Sequence, residues 1–329
     1  MVTLKQIAEE AEVSVFTVSC ILNNKTSKIS FTEKTVQKVK AIASRHNYRK
    51  NIAASLLAKQ KSGLIGVIFP ATSRSFFSRI LAGIQDELEK SDYNMILCLN
   101  SDKTKEYKHF EYLSNRGVDG FIIEPSGCIV DELENVKDIK TPAIVLRREA
   151  HFPYSNYLMV DDFNGGQLAA EFFLDLNHSA SFLLRPEDET EKKNSTPYYK
   201  DRFAGFASIF KKNNANTIDT NLNKLIYIIK NRKTKCKAVF AASDEIAVQF
   251  YHYANKAGIK IPEDISVIGY NDDYLTDFMN PPLTTVNQPK EEFGRIAAAH
   301  IMKKISGQII EDQILPPSLV KRESCIRYK

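Results

Sequence analysis

The chain lacks the residue patterns that carry out covalent chemistry. Its six histidines are scattered, and it holds no G-x-S-x-G, Walker A loop, H-E-x-x-H or G-x-G-x-x-G. The five cysteines, Cys20, Cys98, Cys128, Cys236 and Cys325, are odd in number and lack C-x-x-C or metal-ligand spacing. They read as reduced thiols of a cytosolic protein, so no catalytic residue, metal site or cofactor is expected. The pattern that does point to chemistry is one of charge. Residues 1–62 hold eleven Lys/Arg against four Glu and no Asp, an excess of +7, in a chain whose net charge is +5. Positive charge gathered in the first fifth of a protein suits a module that faces a polyanion. A solvated basic face is the alternative reading.

Three helical patterns must position that charge. Thr3 can cap a helix over Leu4–Ala11, whose Leu4, Ile7, Ala8 and Ala11 share one face. Ser14 can cap a second over Val15–Leu22, with Val18, Ile21 and Leu22 inward, and Thr32 or Thr35 opens a third with Val36, Val39, Ile42 and Ala43 at helical spacing. Two short helices about a tight turn, covered by a third, predict a helix-turn-helix module. Residues 48–62 are basic and alanine-rich and read as a linker. From Gly63 the runs LIGVIF, YNMILCL, DGFII, PAIVL, SFLL, KAVFAA and ISVIGY alternate with helical segments at Phe77–Lys90, Gly165–Leu176, Arg202–Lys212, Asp244–Ala257 and Glu291–Ile305. That alternation predicts βαβ units and parallel sheets. So long a segment is generous for one sheet, which favours two doubly wound lobes with a cleft between them. The charged loop of residues 185–197 is expected to be exposed.

The segment VTLKQIAEEAEVSVFTVSCILNN, residues 2–24, resembles the N-terminal signature of the lactose-repressor (LacI/GalR) family. The likeness continues through HNYRKNIAASLLAKQKSGLIGVIFP, AVFAASDEIAV, ISVIGYNDD and NPPLTTVNQP, in the family's order. The resemblance implies an all-α helix-turn-helix DNA-binding domain at 1–48 and a hinge helix at 49–62. It further implies a two-lobed α/β effector-binding and dimerisation domain, similar to periplasmic sugar-binding proteins, at 63–329. The expected protein is a cytoplasmic homodimeric repressor of a palindromic operator. Its effector is expected to be a small molecule, a sugar or related metabolite.

Carried over residue by residue, the resemblance assigns base reading to Val15, Phe16, Ser19 and Cys20, on the helix that enters the major groove. It assigns phosphate contacts to Thr3, Ser14, Thr17 and Asn23, and places Asn51 and Leu57 in the hinge, where Leu57 wedges into the minor groove. Effector residues matched to family positions are Phe76, Phe77, Asp161, Arg202, Asp244 and Asn271, with Arg202 read as opening a helix at the cleft. Plain alternatives stand beside several of these: an N-cap for Ser14 and Asp244, core packing for Phe76 or Phe77, and linker packing for Leu57.

The chain departs from the family pattern in several places. Glu12 stands where the family commonly has Gly, which predicts a non-glycine residue at positive φ. Lys50 replaces the Pro before the hinge asparagine, and Asn271 replaces an Asp. Cys20 replaces a base-reading Arg, and a thiol cannot make the bidentate contact to guanine, so A/T-rich half-sites are expected. The stretch from Asn213 to Lys237 looks short enough to have lost a strand. No leucine-heptad tail follows SLVKRESCIRY, so dimers rather than tetramers are expected.

Two other function classes compete. An enzyme is disfavoured by the missing motifs, and a transport receptor by the basic head. Met1–Glu12 has no apolar segment of the kind that begins a signal peptide, and the apolar run Leu64–Ala71 falls far short of the ~20 residues of a membrane span. A partnership with a membrane is not expected.

Overall fold

The computed structural model describes residues 2–22, 31–48, 61–71, 75–100, 105–125, 141–146, 155–186, 197–231 and 236–328. The chain divides into two compact units, Met1–Lys61 and Ser62–Lys329.

The described part of the first unit is three helices, α1 (Leu4–Ala11), α2 (Val15–Leu22) and α3 (Glu33–Arg45). Each begins at a hydroxyl that accepts a backbone N–H three residues on. Thr3 Oγ1 accepts from Gln6 at 3.3 Å, Ser14 Oγ from Thr17 at 3.0 Å and Thr32 Oγ1 from Thr35 at 3.3 Å. Gln6 Oε1 accepts the Thr3 N–H in return, closing a capping box. Of the two threonines expected to open α3, Thr32 is its cap. The turn between α1 and α2 passes through Glu12 at φ 56°, the left-handed conformation expected of that position. Ile7, Ala8, Ala11, Val18, Ile21, Val39, Ile42 and Ala43 form the core, and Glu10 pairs with Arg45 and His46 across α1 and α3.

The second unit is two lobes, each around its own sheet. Lobe one contains β1 (Leu64–Pro70), α4 (Ser75–Leu88), β2 (Asn94–Asn100), α5 (Lys105–Asn115), β3 (Gly120–Ile123), β4 (Ala143–Val145) and β5 (Ser155–Val160). Lobe two contains α6 (Asp162–Asp175), β6 (Ala180–Leu184), α7 (Pro197–Lys212), β7 (Asn216–Thr220), α8 (Leu222–Lys230), β8 (Ala238–Ala241), α9 (Asp244–Lys256), β9 (Ser266–Asn271), a 3-10 turn (Tyr274–Phe278) and β10 (Thr284–Asn287). The chain then returns to lobe one as α10 (Lys290–Ile305) and β11 (Gln313–Leu315) and ends in lobe two at β12 (Ser318–Val320). Strand orders are β11-β5-β4-β3-β1-β2 and β12-β10-β9-β8-β6-β7, parallel throughout except where β12 meets β10. The central strands, such as LIGVIFP and SVIGYN, are apolar without alternation because helices cover both faces of the sheet.

Among the described residues the chain thus crosses between lobes three times, at Asp161, at Gln288–Pro289 and at Pro316–Pro317. Two crossings are tied together where the Asp161 N–H donates to the Leu315 carbonyl at 3.0 Å. Two sequence expectations are corrected here. The short stretch after Asn213 keeps its strand: β7 pairs with β6 from Asn216 to Thr220, and a single residue, Asn221, turns it into α8 and caps that helix. Helix α7 begins at Pro197, so Arg202 lies in its second turn rather than opening it.

Candidate DNA-reading face and effector cleft

On α2 the first turn points outward. Val15 is 45% exposed and Phe16 62%, an unusual display of apolar surface for so small a unit. Thr17 and Ser19 are half-buried, and the Ser14 and Thr17 hydroxyls lie 2.9 Å apart beside the N–H groups that open the helix. Hydroxyls and free N–H groups at a helix N-terminus form an anion-binding edge. Cys20 departs from the expectation that it shares the apolar face, since only 8% of it is exposed. Its side chain ends one atom past Cβ, and the helix tilts Cβ bonds back toward the preceding turn, the one that carries Phe16. The groove-facing apolar surface narrows to Val15 and Phe16. Thr3 lies at the start of α1, engaged in its capping box. Asn23, Asn51 and Leu57 fall outside the described residues.

In the second unit the sequence-predicted residues gather at the carboxyl ends of strands and at the crossings. Phe76 and Phe77 open α4, with ring centroids 5.2 Å apart edge to face, and Phe77 also meets Phe69 of β1 at 5.7 Å. Both are half-buried, so the plain reading of core packing and the reading of a ring-stacking wall meet in one pair. Asp161 sits on the first crossing, where its carboxylate accepts the Asn164 N–H at 2.9 Å and caps α6.

Arg202 is 4% exposed and fixed on three sides. Its Nε donates to Asp162 Oδ1 at 2.9 Å, Nη1 donates to the Ala242 carbonyl at 2.7 Å, and the guanidinium stacks 3.7 Å over the Tyr270 ring. The packing reason that the sequence did not reveal is therefore supplied by α6, β8 and β9 together. Burial works to lower the Arg202 pKa, but Asp162, Tyr270 and Tyr199 together outweigh it and the guanidinium stays charged. Asp201, next to it, is raised by burial and by the neighbouring Asp162 and Asp161 carboxylates.

Asp244 is 1% exposed, and both of its oxygens are engaged. Thr285 Oγ1 donates to Oδ1 at 2.6 Å and the Asp273 N–H to Oδ2 at 2.8 Å. It is not the N-cap of α9, a place held by Ser243 without a side-chain hydrogen bond. Burial pushes its carboxyl up to about 7, against the pull of those two donors. Asn271 ends β9 at φ 120°, and its Oδ1 accepts from Gln288 Nε2 at 2.8 Å.

Two stretches match described families: residues 3–51 match "Bacterial regulatory proteins, lacI family" and 170–325 match a periplasmic binding protein-like domain. The sucrose operon repressor of Streptococcus mutans is 30% identical over 98% of this chain and 98% of its own length. The chain belongs to the lacI family. This lacI-family regulator is also 28% identical to the ribose operon repressor of Escherichia coli K12, over 98% of the chain and all of that relative. A lacI-family regulator from Enterococcus faecalis V583, solved with bound ribose, is 32% identical over 81% of this chain and 100% of its own, with a TM-score of 0.67. The lac repressor, at 24% identity and a TM-score of 0.80 over 98% of each chain, shares the fold. The protein is a DNA-binding transcriptional regulator, with a helix-turn-helix head and a two-lobed α/β body.

Sequence reasoning missed Asp162, Tyr270, Gln288 and Lys290, which hold the expected site residues in place. Only Asp162 left a local signal, as the second of two adjacent carboxylates where β5 ends. Among the described residues no cluster of three or more His, Cys, Asp or Glu could hold a metal ion, and no helix is long and apolar enough to cross a membrane.

Proposed function

We propose that this regulator is a homodimeric repressor that binds a palindromic operator and is switched by a sugar held between its lobes. The observation that carries the effector reading is the charged lock at the junction of the lobes. The Arg202–Asp162 pair, with Asp161 and Asp201 beside it and the Phe76–Phe77 pair on lobe one, offers carboxylates for sugar hydroxyls and an aromatic wall for a ring face. Relatives named as ribose and sucrose operon repressors, and the ribose-bound regulator of E. faecalis, support it. Phe76, Phe77, Asp161, Arg202 and Asn271 are the proposed ligand contacts. Asp244 organises the Asp273 backbone instead. Titration of the intact dimer with D-ribose and sucrose, read by calorimetry and by operator affinity, tests this. Binding of neither sugar, with no change in operator affinity, overturns it.

On DNA, Val15 and Phe16 read the major groove with Ser19 at its edge, Cys20 packs beneath them, and Thr3, Ser14, Thr17 and Asn23 contact phosphates. Asn51 and Leu57 serve the hinge. The exposed apolar pair suits thymine methyl groups better than guanine acceptors, which supports A/T-rich half-sites. Selection from a randomised palindrome with wild type and Cys20→Arg side by side is the test. The expected outcome is a switch toward guanine facing residue 20 in the variant alone. Guanine selected equally by both proteins overturns the half-site reading. Two heads on a two-fold site also predict steep salt dependence, and a monomer that ignores DNA at ~100 mM salt overturns the dimeric operator reading.

A further inference from the structure

The second crossing between the lobes runs into a buried lysine. Lys290 opens α10 and is 1% exposed. Its ammonium donates to the Asn271 carbonyl, to the Asp272 carbonyl at 3.1 Å and to Asn287 Oδ1 at 3.2 Å. An ammonium has three donors, and here each has an acceptor. Two residues earlier, Gln288 holds the Asn271 side chain, so the same crossing grips both the backbone and the amide of that residue.

The gripped backbone is unusual. Asn271 and Asp272 stand at φ 120° and 54°, values that side-chain-bearing residues rarely adopt. Such conformations persist where the surroundings over-determine them. Here Asp244 takes the Asp273 N–H, Arg322 Nη2 donates to Asp272 Oδ1 at 2.8 Å, and Lys290 takes the two carbonyls. The first two restraints come from lobe two itself. Lys290 comes from the helix that returns to lobe one.

That helix is clasped to α4. A Cβ on Gly83 would collide with the Glu291 carbonyl, and one on Gly294 with the Ile80 carbonyl, so the two backbones meet where only glycine fits. Arg79 Nε adds an ion pair to Glu291 Oε1 at 2.5 Å. Helix α4 begins with Phe76 and Phe77, so whatever moves α10 moves the aromatic wall.

The geometry points to Lys290 as a positioning residue that latches the Phe76–Phe77 wall of lobe one to the Asn271 strand end of lobe two, and carries a change at either side of the cleft to the other. Its ligand arm rests on the sugar reading above. Its structural arm does not. Burial and the nearby Arg79 hold the Lys290 pKa below the ordinary lysine value, and Asp272, Asp273 and Asp244 only partly offset them.

The test is amide hydrogen exchange on the intact protein, comparing wild type, Lys290→Met and Gln288→Met without ligand and with D-ribose, alongside operator affinity. Lys290→Met is expected to raise exchange at least tenfold in peptides covering 271–276 and severalfold at the start of α4, while β8 stays protected. D-ribose is expected to slow both segments in wild type and only one in the variant, and the ratio of operator affinities with and without sugar falls at least fivefold. Gln288→Met, which leaves the lysine in place, is expected to show a smaller rise at 271–276 that still reaches α4. That variant decides the matter should Lys290→Met fail to fold. A uniform rise across lobe two would make the lysine a stability residue, and a rise that stops at 276 would remove the latch. D-ribose without effect on wild type would exclude ribose as the sugar, while the ligand-free comparison still decides the latch.

Discussion

The helix caps of the reading head and the buried pairs of the effector cleft satisfy their polar groups in opposite ways. In the head, hydroxyls that face outward are held by N–H groups three residues along the same helix: Thr3 with Gln6, Ser14 with Thr17, Thr32 with Thr35. In the cleft the partners lie far apart in the chain, Arg202 with Asp162, Asp244 with Thr285, Arg322 with Asp272. The head therefore keeps its fold when its outer face is changed, and that face is free to adapt to a base sequence. The cleft cannot be changed at one residue without disturbing two or three elements. A surface that reads DNA and a joint that passes on a signal need those opposite properties.

Arg202→Ala should produce the largest break. It leaves the Asp162 carboxylate, the Ala242 carbonyl and the Tyr270 ring without their partner, and removing one member of a buried ion pair costs about 3–5 kcal/mol. Urea unfolding should show that loss in the body. Arg202→Lys should keep more of the stability, because an ammonium still reaches one acceptor, yet lose the effector response, because a point charge cannot serve Asp162 and Ala242 together. A stable Arg202→Ala protein that merely loses its sugar response would mean that the cleft is as forgiving as the head.

The next break is by pH. The Asp244 carboxyl is raised from 3.8 to about 7 by burial, so the folded state holds a proton that the unfolded chain releases. The stabilisation is full below about pH 4 and is lost as pH rises through about 7, because the unfolded state binds fewer protons across that window. Asp244→Asn cannot ionise, and although it gives up one hydrogen bond its melting temperature should fall less between pH 5 and pH 8 than that of wild type. Parallel melting curves would remove Asp244 from this role.

Phe16→Ala sharpens the comparison from the other side. With 62% of the residue exposed, its truncation should change the stability of the head by less than about 0.5 kcal/mol. Operator binding should weaken by about 1–2 kcal/mol through the lost apolar contact. Equal losses in both measurements would place Phe16 in the core.

The same contrast explains what could be read without a structure. The bounds of α1 and α2, the Thr3 and Ser14 caps and the positive φ of Glu12 are local facts, written within a few residues of one another. Seven of the parallel strands were equally legible as apolar runs, whereas β5 and β10, which carry polar residues, and the three-residue β11 were not. The partners of Arg202 and Asp244 were not, since nothing near residue 202 announces a carboxylate on α6, and nothing near 244 announces a hydroxyl on β10. Strand β7 was missed for a related reason: NTIDT is polar because it is an edge strand, with one neighbour and an open face. Cys20 was placed on the wrong side of visibility because side-chain length, rather than helical spacing, decides what reaches the surface there.

The smallest expected effect lies in the turn between α1 and α2. Glu12 ends α1 at φ 56°, where a Cβ meets the backbone and glycine does not. Holding a glutamate there costs about 1 kcal/mol. Its N–H makes the helix-ending bonds to the Ala8 and Glu9 carbonyls, which any residue would supply. Its carboxylate meets Lys38 at 3.2 Å, but both groups are largely exposed, and such a pair contributes about 0–1 kcal/mol. Glu12→Gly trades the second contribution for the first and also loosens the unfolded chain, a loss of about 0.4–1 kcal/mol. The net expectation is a head changed by less than about 1 kcal/mol in either direction at ordinary salt, and more stable than wild type at high salt, where the ion pair is screened. Melting curves of the head in low and high salt measure this directly. A variant that loses stability more at high salt than at low salt would show that the Glu12 side chain supports the turn by something other than charge.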